Sequence, residues 1–262
     1  MPELPDVAGF ASYFEDQAAG CTIARTSVLD ERILQGITAR SLYPRLKDAT
    51  FDQVRRRGKF LFARLGDRGW LVLHFGMTGQ LQSYQDDQPE YTRLVLEFRE
   101  GHNLAVISRR MLGRVSWTDD VEAFIKAEDL GPDVLDDDLD SDRFAGMLSD
   151  RTGAIKSMLM DQSIIAGIGN VYADEICYQA SLRPDASLAD VDRQQLGRLY
   201  RVMRRVLRTA ARHGGDADEL PDHYLLPNRR EGESCSVCGG KFRKMQVTGR
   251  TTIYCPDCQH EP

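Results

Sequence analysis

Between residues 59 and 108 the chain alternates short apolar runs with polar breaks. KFLFARL, WLVLHF, TRLVLEF and NLAVIS are too short for helices, are rich in β-branched and aromatic residues, and are separated by Gly, Asp and Asn turns. The pattern predicts an antiparallel sandwich or barrel over roughly 22–117. Upstream, the Pro-rich turn MPELP leads into a helix-like stretch, DVAGFASYFEDQAA. From 143 to 213 the period changes. Leu196, Leu199, Val202, Met203, Val206 and Leu207 recur near 3.6 residues, and Gly214-Gly215 stops that helix. Within IKSMLMDQSIIAGIGNVYADEI, Ile155, Met158, Leu159 and Gln162 sit at helical spacing. AGIGN then breaks the helix and YADEI restarts one, with Asn170 expected as its cap. Residues 216–234 read as a loop. The fold class is α+β: an N-terminal antiparallel β-sandwich with an N-terminal helix (1–118), an acidic linker (119–142), a helical domain with its loop (143–234) and a cysteine-bearing hairpin (235–262).

The 262 residues, 42% hydrophobic, suffice for one large core or two modest ones. No apolar run approaches the ~18–20 residues that span a bilayer. The start, MPELPDVAGF, has neither the basic residues nor the apolar stretch of a secretion signal, so a soluble cytoplasmic protein is expected. The net charge of −6 argues against a polyanionic partner, but its distribution does not. Residues 119–142 carry −10, so the remainder carries +4. Six arginines and no acid lie in 198–213, and RRRGK forms a second basic run at 55–59. Local fields rather than net charge steer a polyanion. Taken alone, each run reads equally well as a solvated face.

Cys21 and Cys177 stand alone, whereas Cys235, Cys238, Cys255 and Cys258 form two CxxC pairs. Four thiolates at that spacing fit one tetrahedral structural Zn²⁺, which would supply much of the folding energy of so small a segment. A redox dithiol is the alternative. Lys241, Arg243, Lys244 and Arg250 lie between the pairs with no acid, which points to phosphate contact. The amides that open the helix after AGIGN suit a phosphate too, although on that segment alone an ordinary packing corner is the better reading.

In order, PELPDV, RRGKFLF, HFGMTG, DQSIIAGIGNVYADE and GRTTIYCPDCQ resemble the formamidopyrimidine-DNA glycosylase and endonuclease VIII family over nearly the whole chain. The resemblance implies a helix–two-turns–helix motif, a β-hairpin zinc finger and a bifunctional glycosylase and abasic-site lyase of base excision repair. Damaged double-stranded DNA is the implied partner, and the protein is expected to be a monomer with the nucleoid. Pro2, exposed by removal of Met1, would be the nucleophile, leading through a Schiff base to β,δ-elimination. Glu3 would be the general acid, with a pKa raised by burial, and Lys59 would contact phosphate and assist elimination. Arg250 would share a phosphate with Asn170 and assist the second elimination. His74, Arg151 and Lys156 match basic DNA contacts; His74 also reads as an ordinary sheet histidine. Met77, Arg110 and Leu112 match the three residues that fill the vacated base stack, although Met77 alone would be a core methionine.

The resemblance thins in three places. SRRMLG stands where the family has DPRRFG, so Leu112 replaces Phe. EYTR at 90–93 replaces a His-rich segment. Between the last long helix and the hairpin the chain is short, and Asn228 occupies the position of a family Tyr. Members that recognise 8-oxoguanine carry a longer loop there. The same chemistry on oxidised pyrimidines, abasic sites or cross-linked bases is therefore an alternative, as is a non-catalytic binder of damaged DNA.

Overall fold

The computed structural model describes residues 1–149 and 151–262. The chain divides into two compact units, Met1–Pro2 with Asp6–Glu128, and Glu3–Pro5 with Asp129–Pro262.

The first unit is a β-sandwich. One antiparallel sheet has the order β1 (Ile23–Val28), β6 (Thr92–Phe98), β7 (Asn103–Ser108), β5 (Gly79–Tyr84). The other runs β2 (Gln53–Arg57), β3 (Phe60–Arg64), β4 (Trp70–His74), β8 (Arg114–Thr118). Inward positions of the two sheets, among them Leu61, Leu73, Leu94, Leu104 and Val106, form one apolar core. It also takes in Val7 and Phe14 of helix α1 (Leu4–Ala18) and Leu42 of helix α2 (Ala39–Leu46). Helix α2 lies inside the region read as β-rich. Its start is fixed by a capping box, in which the Thr38 hydroxyl accepts from the Ser41 amide and the Ser41 hydroxyl accepts from the Thr38 amide. A short helix, α3 (Val121–Ala127), closes the unit and occupies part of the expected linker. RRRGK is only partly solvated: Arg55 is exposed, whereas Lys59 is buried. It forms β2 and a two-residue loop, with Gly58 at φ +54, and the Arg55 guanidinium lies over the Trp70 ring.

The second unit is helical, comprising α4 (Ser141–Leu148), α5 (Ile155–Met160), α6 (Asn170–Ala180) and α7 (Arg193–Arg212). The six periodic positions of α7 are all buried, in a core shared with α4, α5 and α6. Asp192 and Gln195 cap its start, and Gly214 and Gly215 at φ +60 and +84 end it. The hairpin pairs β9 (Arg243–Val247) with β10 (Arg250–Tyr254). Thr248 and Gly249, at φ +44 and +73, form its left-handed two-residue turn.

Residues 216–234 are not an open loop. Two 3-10 turns (Ala217–Glu219 and Leu226–Asn228) fold Leu220, Tyr224, Leu225 and Leu226 into the interior. Glu175 of α6 holds this segment, its carboxylate accepting from the Leu226 amide at 2.9 Å and the Gln179 side chain at 3.0 Å. Burial pushes its pKa from 4.5 up to about 7. Between those values the folded chain keeps a proton that the unfolded chain has lost. This contribution to stability is complete below about pH 4.5 and is lost as pH rises through about 7. Urea denaturation of Glu175→Gln should show a stability relative to wild type that improves by about 3 kcal/mol across that window. A difference independent of pH would contradict the assignment.

Candidate active site and nucleic-acid interface

Helix α6 begins on an unusual cap. Gly169 is its N-cap residue and Asn170 its first helical residue, so the expected Asn170 side-chain cap is not formed. The cap comes instead from Glu3, whose buried carboxylate accepts from the amides of Gly169 (2.6 Å), Val171 (2.8 Å) and Tyr172 (3.2 Å). The Leu4 amide also donates to the Gly167 carbonyl at 2.9 Å. Three N–H donors and the positive end of the helix favour the carboxylate anion. These three amides are thereby taken from any phosphate, whereas the Asn170 amide meets no acceptor among the described residues. The carboxylate fits only because residue 169 lacks a side chain: a Cβ there would lie 2.5 Å from the Glu3 Cδ and Oε1.

The Asn170 side chain donates to the Thr251 carbonyl at 3.0 Å. This ties α6 to the residue after Arg250, which is exposed beside the hairpin turn. The structure thus brings together the two residues expected to grip one phosphate. Lys156 is not available for that task. It is fully buried, 2.7 Å from Asp174, and donates to the Thr252 hydroxyl at 2.7 Å and the Thr251 carbonyl at 3.3 Å. Burial pushes its ammonium pKa down, against the pull of Asp174. The expectation of a DNA contact at Lys156 is therefore corrected to one of holding the hairpin. Asp174, also fully buried, pairs with Arg229 at 2.5 Å and accepts from the Ile253 amide at 3.1 Å. Sequence reading missed this Lys156–Asp174–Arg229 group. Its signal was the pair of acids in YADEI, inside an otherwise apolar helix, since buried acids require partners. Arg151 is exposed, with its Nε donating to the Met147 carbonyl.

The Sγ atoms of Cys235, Cys238, Cys255 and Cys258 all lie within 4.8 Å of one another. Sγ separations of 3.8 Å (Cys235–Cys258) and 3.5 Å (Cys238–Cys255) match the edge of a tetrahedron with metal–sulfur bonds of about 2.3 Å. The Tyr178 hydroxyl lies 3.0 Å from the Cys235 sulfur, positioned to orient it. The four residues fit a tetrahedral metal ion.

In the β-sandwich, Lys59 is buried at the tip of the β2–β3 loop, and His74 ends β4 opposite Phe60. The His74 Nδ1 lies 3.2 Å from the Gly76 amide and accepts from it, which leaves the proton on Nε2. Burial, with Arg114 and Lys59 nearby, lowers its pKa to about 4. His74 is thus a neutral hydrogen-bond donor throughout the physiological range. Met77, Arg110 and Leu112 are all exposed, on two adjoining loops. The Arg110 amide donates to the Thr78 hydroxyl at 3.3 Å, and a Cβ on Gly76 would lie 2.3 Å from the Leu112 carbonyl group.

The Glu3 cap predicts coupled positions. Glu3→Ala and Gly169→Ala should each lower stability by about 1–3 kcal/mol in chemical denaturation. The double variant should lose little more than Glu3→Ala alone. Simple additivity would contradict the contact.

Residues 1–115 match the formamidopyrimidine-DNA glycosylase N-terminal domain, and residues 130–221 the H2TH domain of the same enzymes. The formamidopyrimidine-DNA glycosylase of Acaryochloris marina is 32% identical across the full length of both chains. The Lactococcus lactis enzyme bound to DNA containing an AP site superposes with a TM-score of 0.89 at 27% identity, covering 99% of this chain and 100% of that one. A MutM structure in complex with DNA containing carbocyclic 8-oxo-G gives 0.89 at 28% identity, with the same coverage. With both domains matched, and a relative of that identity over its whole length, the chain belongs to the formamidopyrimidine-DNA glycosylase family.

Proposed function

We propose that the chain is a DNA glycosylase and abasic-site lyase of base excision repair that works through the amine of Pro2. The observation that carries this reading is the Glu3 carboxylate fixed on the start of α6. Adjacent Cα atoms are ~3.8 Å apart, so this anchor confines the preceding residue to a small volume beside a fixed negative charge. With Met1 removed, residue 2 presents a secondary amine with an ordinary pKa near ~8. Its nitrogen attacks C1′ of the damaged nucleotide as the bond to the base breaks, and the base leaves with the electron pair. The C1′–O4′ bond then opens, O4′ takes a proton, and a C1′–nitrogen iminium remains. The Glu3 anion stabilises positive charge developing at C1′, accepts the proton released by the amine and returns it to O4′. Loss of a C2′ proton expels the 3′ phosphate, and a second elimination expels the 5′ phosphate.

Asn170 and Arg250 hold a phosphate, His74 donates to another through Nε2, and Lys59 and Arg151 add positive charge. Met77, Arg110 and Leu112 fill the gap left by the everted nucleotide. Zn²⁺ is the ion that four thiolates at this spacing favour, and it supplies folding energy to the hairpin that carries Arg250. One zinc per chain is expected by elemental analysis. Chelation should weaken binding to abasic DNA while leaving the sandwich folded by circular dichroism. Cytoplasmic action agrees with a chain in which no described helix is long and apolar enough to cross a membrane.

A second reading, the same chemistry on oxidised pyrimidines, abasic sites or cross-linked bases, is favoured by one observation. The 216–234 segment is folded into the core, and Arg229 within it is committed to Asp174. A panel of lesion duplexes separates the substrates.

Borohydride should trap the processed protein on abasic DNA by reducing the iminium. An N-terminal extension should abolish trapping, and Glu3→Gln should slow it about 10²-fold. A processed chain that traps on no lesion and no abasic site would leave only the non-catalytic binder.

A further inference from the structure

Helix α7 carries a charged face that none of the chemistry above uses. Arg201, Arg205, Arg208 and Arg212 are exposed along one side and line a groove of about 490 Å³ with Tyr200 and Thr209. The helix contains no acidic residue from Arg193 to Arg212. Its other arginines have partners. Arg193 pairs with Asp142 at 2.8 Å, and Arg198 donates to the Ser181 hydroxyl at 3.3 Å. Arg204, buried, donates to the carbonyls of Asp136 and Leu139 and lies 3.7 Å from Asp137. Among the described residues, no carboxylate lies within ion-pairing distance of the four exposed guanidiniums.

Such a ladder works against the helix that bears it, because like charges three and four residues apart repel. Favourable interaction with the negative end of the helix accounts for Arg212 and in part Arg208. It does not account for Arg201 or Arg205, two turns or more before that end. Nor is the ladder a by-product of composition, in a chain with a net charge of −6. The acidic segment of the chain reaches Arg193 and Arg204 but none of the four exposed guanidiniums, so among the described residues no carboxylate fills the groove. At 1.5 Å per residue the four positions extend over about 16 Å, the rise of about five phosphates along one strand of B-DNA. Four planar donors in a row, with the Thr209 hydroxyl among them, suit phosphate oxygens.

We propose that this face of α7 is a second DNA-backbone site, holding duplex outside the lesion footprint without regard to sequence. The choice of duplex DNA as occupant rests on the repair reading. The site adds lesion-independent phosphate contacts to those of Asn170, Arg250 and His74.

The test replaces Arg201, Arg205, Arg208 and Arg212 together by Gln, with an all-Lys variant as the charge-retaining control. Affinity for a long undamaged duplex is measured against salt by fluorescence anisotropy. The Gln variant should lose about 3–4 from the magnitude of the log–log salt slope, and the Lys variant should recover most of it. Borohydride trapping on a short abasic duplex, just covering the lesion, should be unchanged. Thermal unfolding verifies that both variants are folded. An unchanged slope overturns the proposal, as does an equal loss on the short duplex, which would place the arginines in the lesion footprint. Loss of binding to anionic vesicles with none to duplex also overturns it. Failure of trapping in the wild type would overturn the catalytic reading and leave the salt slopes to decide this one.

Discussion

The start of the chain is anchored by a buried carboxylate, with the Leu4 amide bonded to the Gly167 carbonyl beside it. Glu3 occupies the amides of a helix whose sequence lies more than 160 residues away, and the geometry leaves no room for a side chain at Gly169. Everything assigned to the amine of Pro2 depends on that anchor, because a chain end is otherwise among the least ordered parts of a protein. The anchor also changes the chemistry expected of Glu3. Three amide donors at a helix start favour the charged form of this carboxylate.

A second constraint sets the position of the hairpin. Asp174 has no exposure to water, yet it joins Lys156 of α5, Arg229 of the following segment and the backbone of β10. Removal of one member of such a group leaves a buried unpaired charge, which costs about 3–5 kcal/mol. The group stabilises one placement of the hairpin on α6, and therefore one placement of Arg250 next to Asn170. The tetrahedron of cysteines fixes the base of the hairpin and the buried ions fix its side.

Much of this was legible in the sequence, for definable reasons. The strands with continuous apolar runs, the period of α7 and the hairpin between the CxxC pairs follow from local pattern. Strands β2, β5 and β8 lack such runs: QVRRR has no fully buried residue, GQLQSY buries Gly79 and Leu81, and RVSWT buries Val115 and Ser116. Helix α2 was hidden by its polar residues and Pro44. The errors at the site share one cause. Asn170 looked like a cap from its residue type, and Lys156 was matched to a basic DNA contact by resemblance; neither reading could see burial. What displaced those readings, Glu3 on α6 and Asp174 on Lys156, are contacts between distant or differently facing residues that no local pattern encodes.

The close packing of the loops bearing Met77, Arg110 and Leu112 has a mechanical consequence. With Gly76 seated against the Leu112 backbone and Arg110 held to Thr78, these exposed tips rest on a base with little freedom to yield. When a stiff probe is pressed into a base stack, the compliance must come from the duplex, and duplexes differ in how readily a step opens. A damaged or mispaired step gives way under a load that an intact one resists. On the proposed reading that these tips enter the base stack, the close packing of two short loops would turn the softness of the DNA into the first quantity the protein measures.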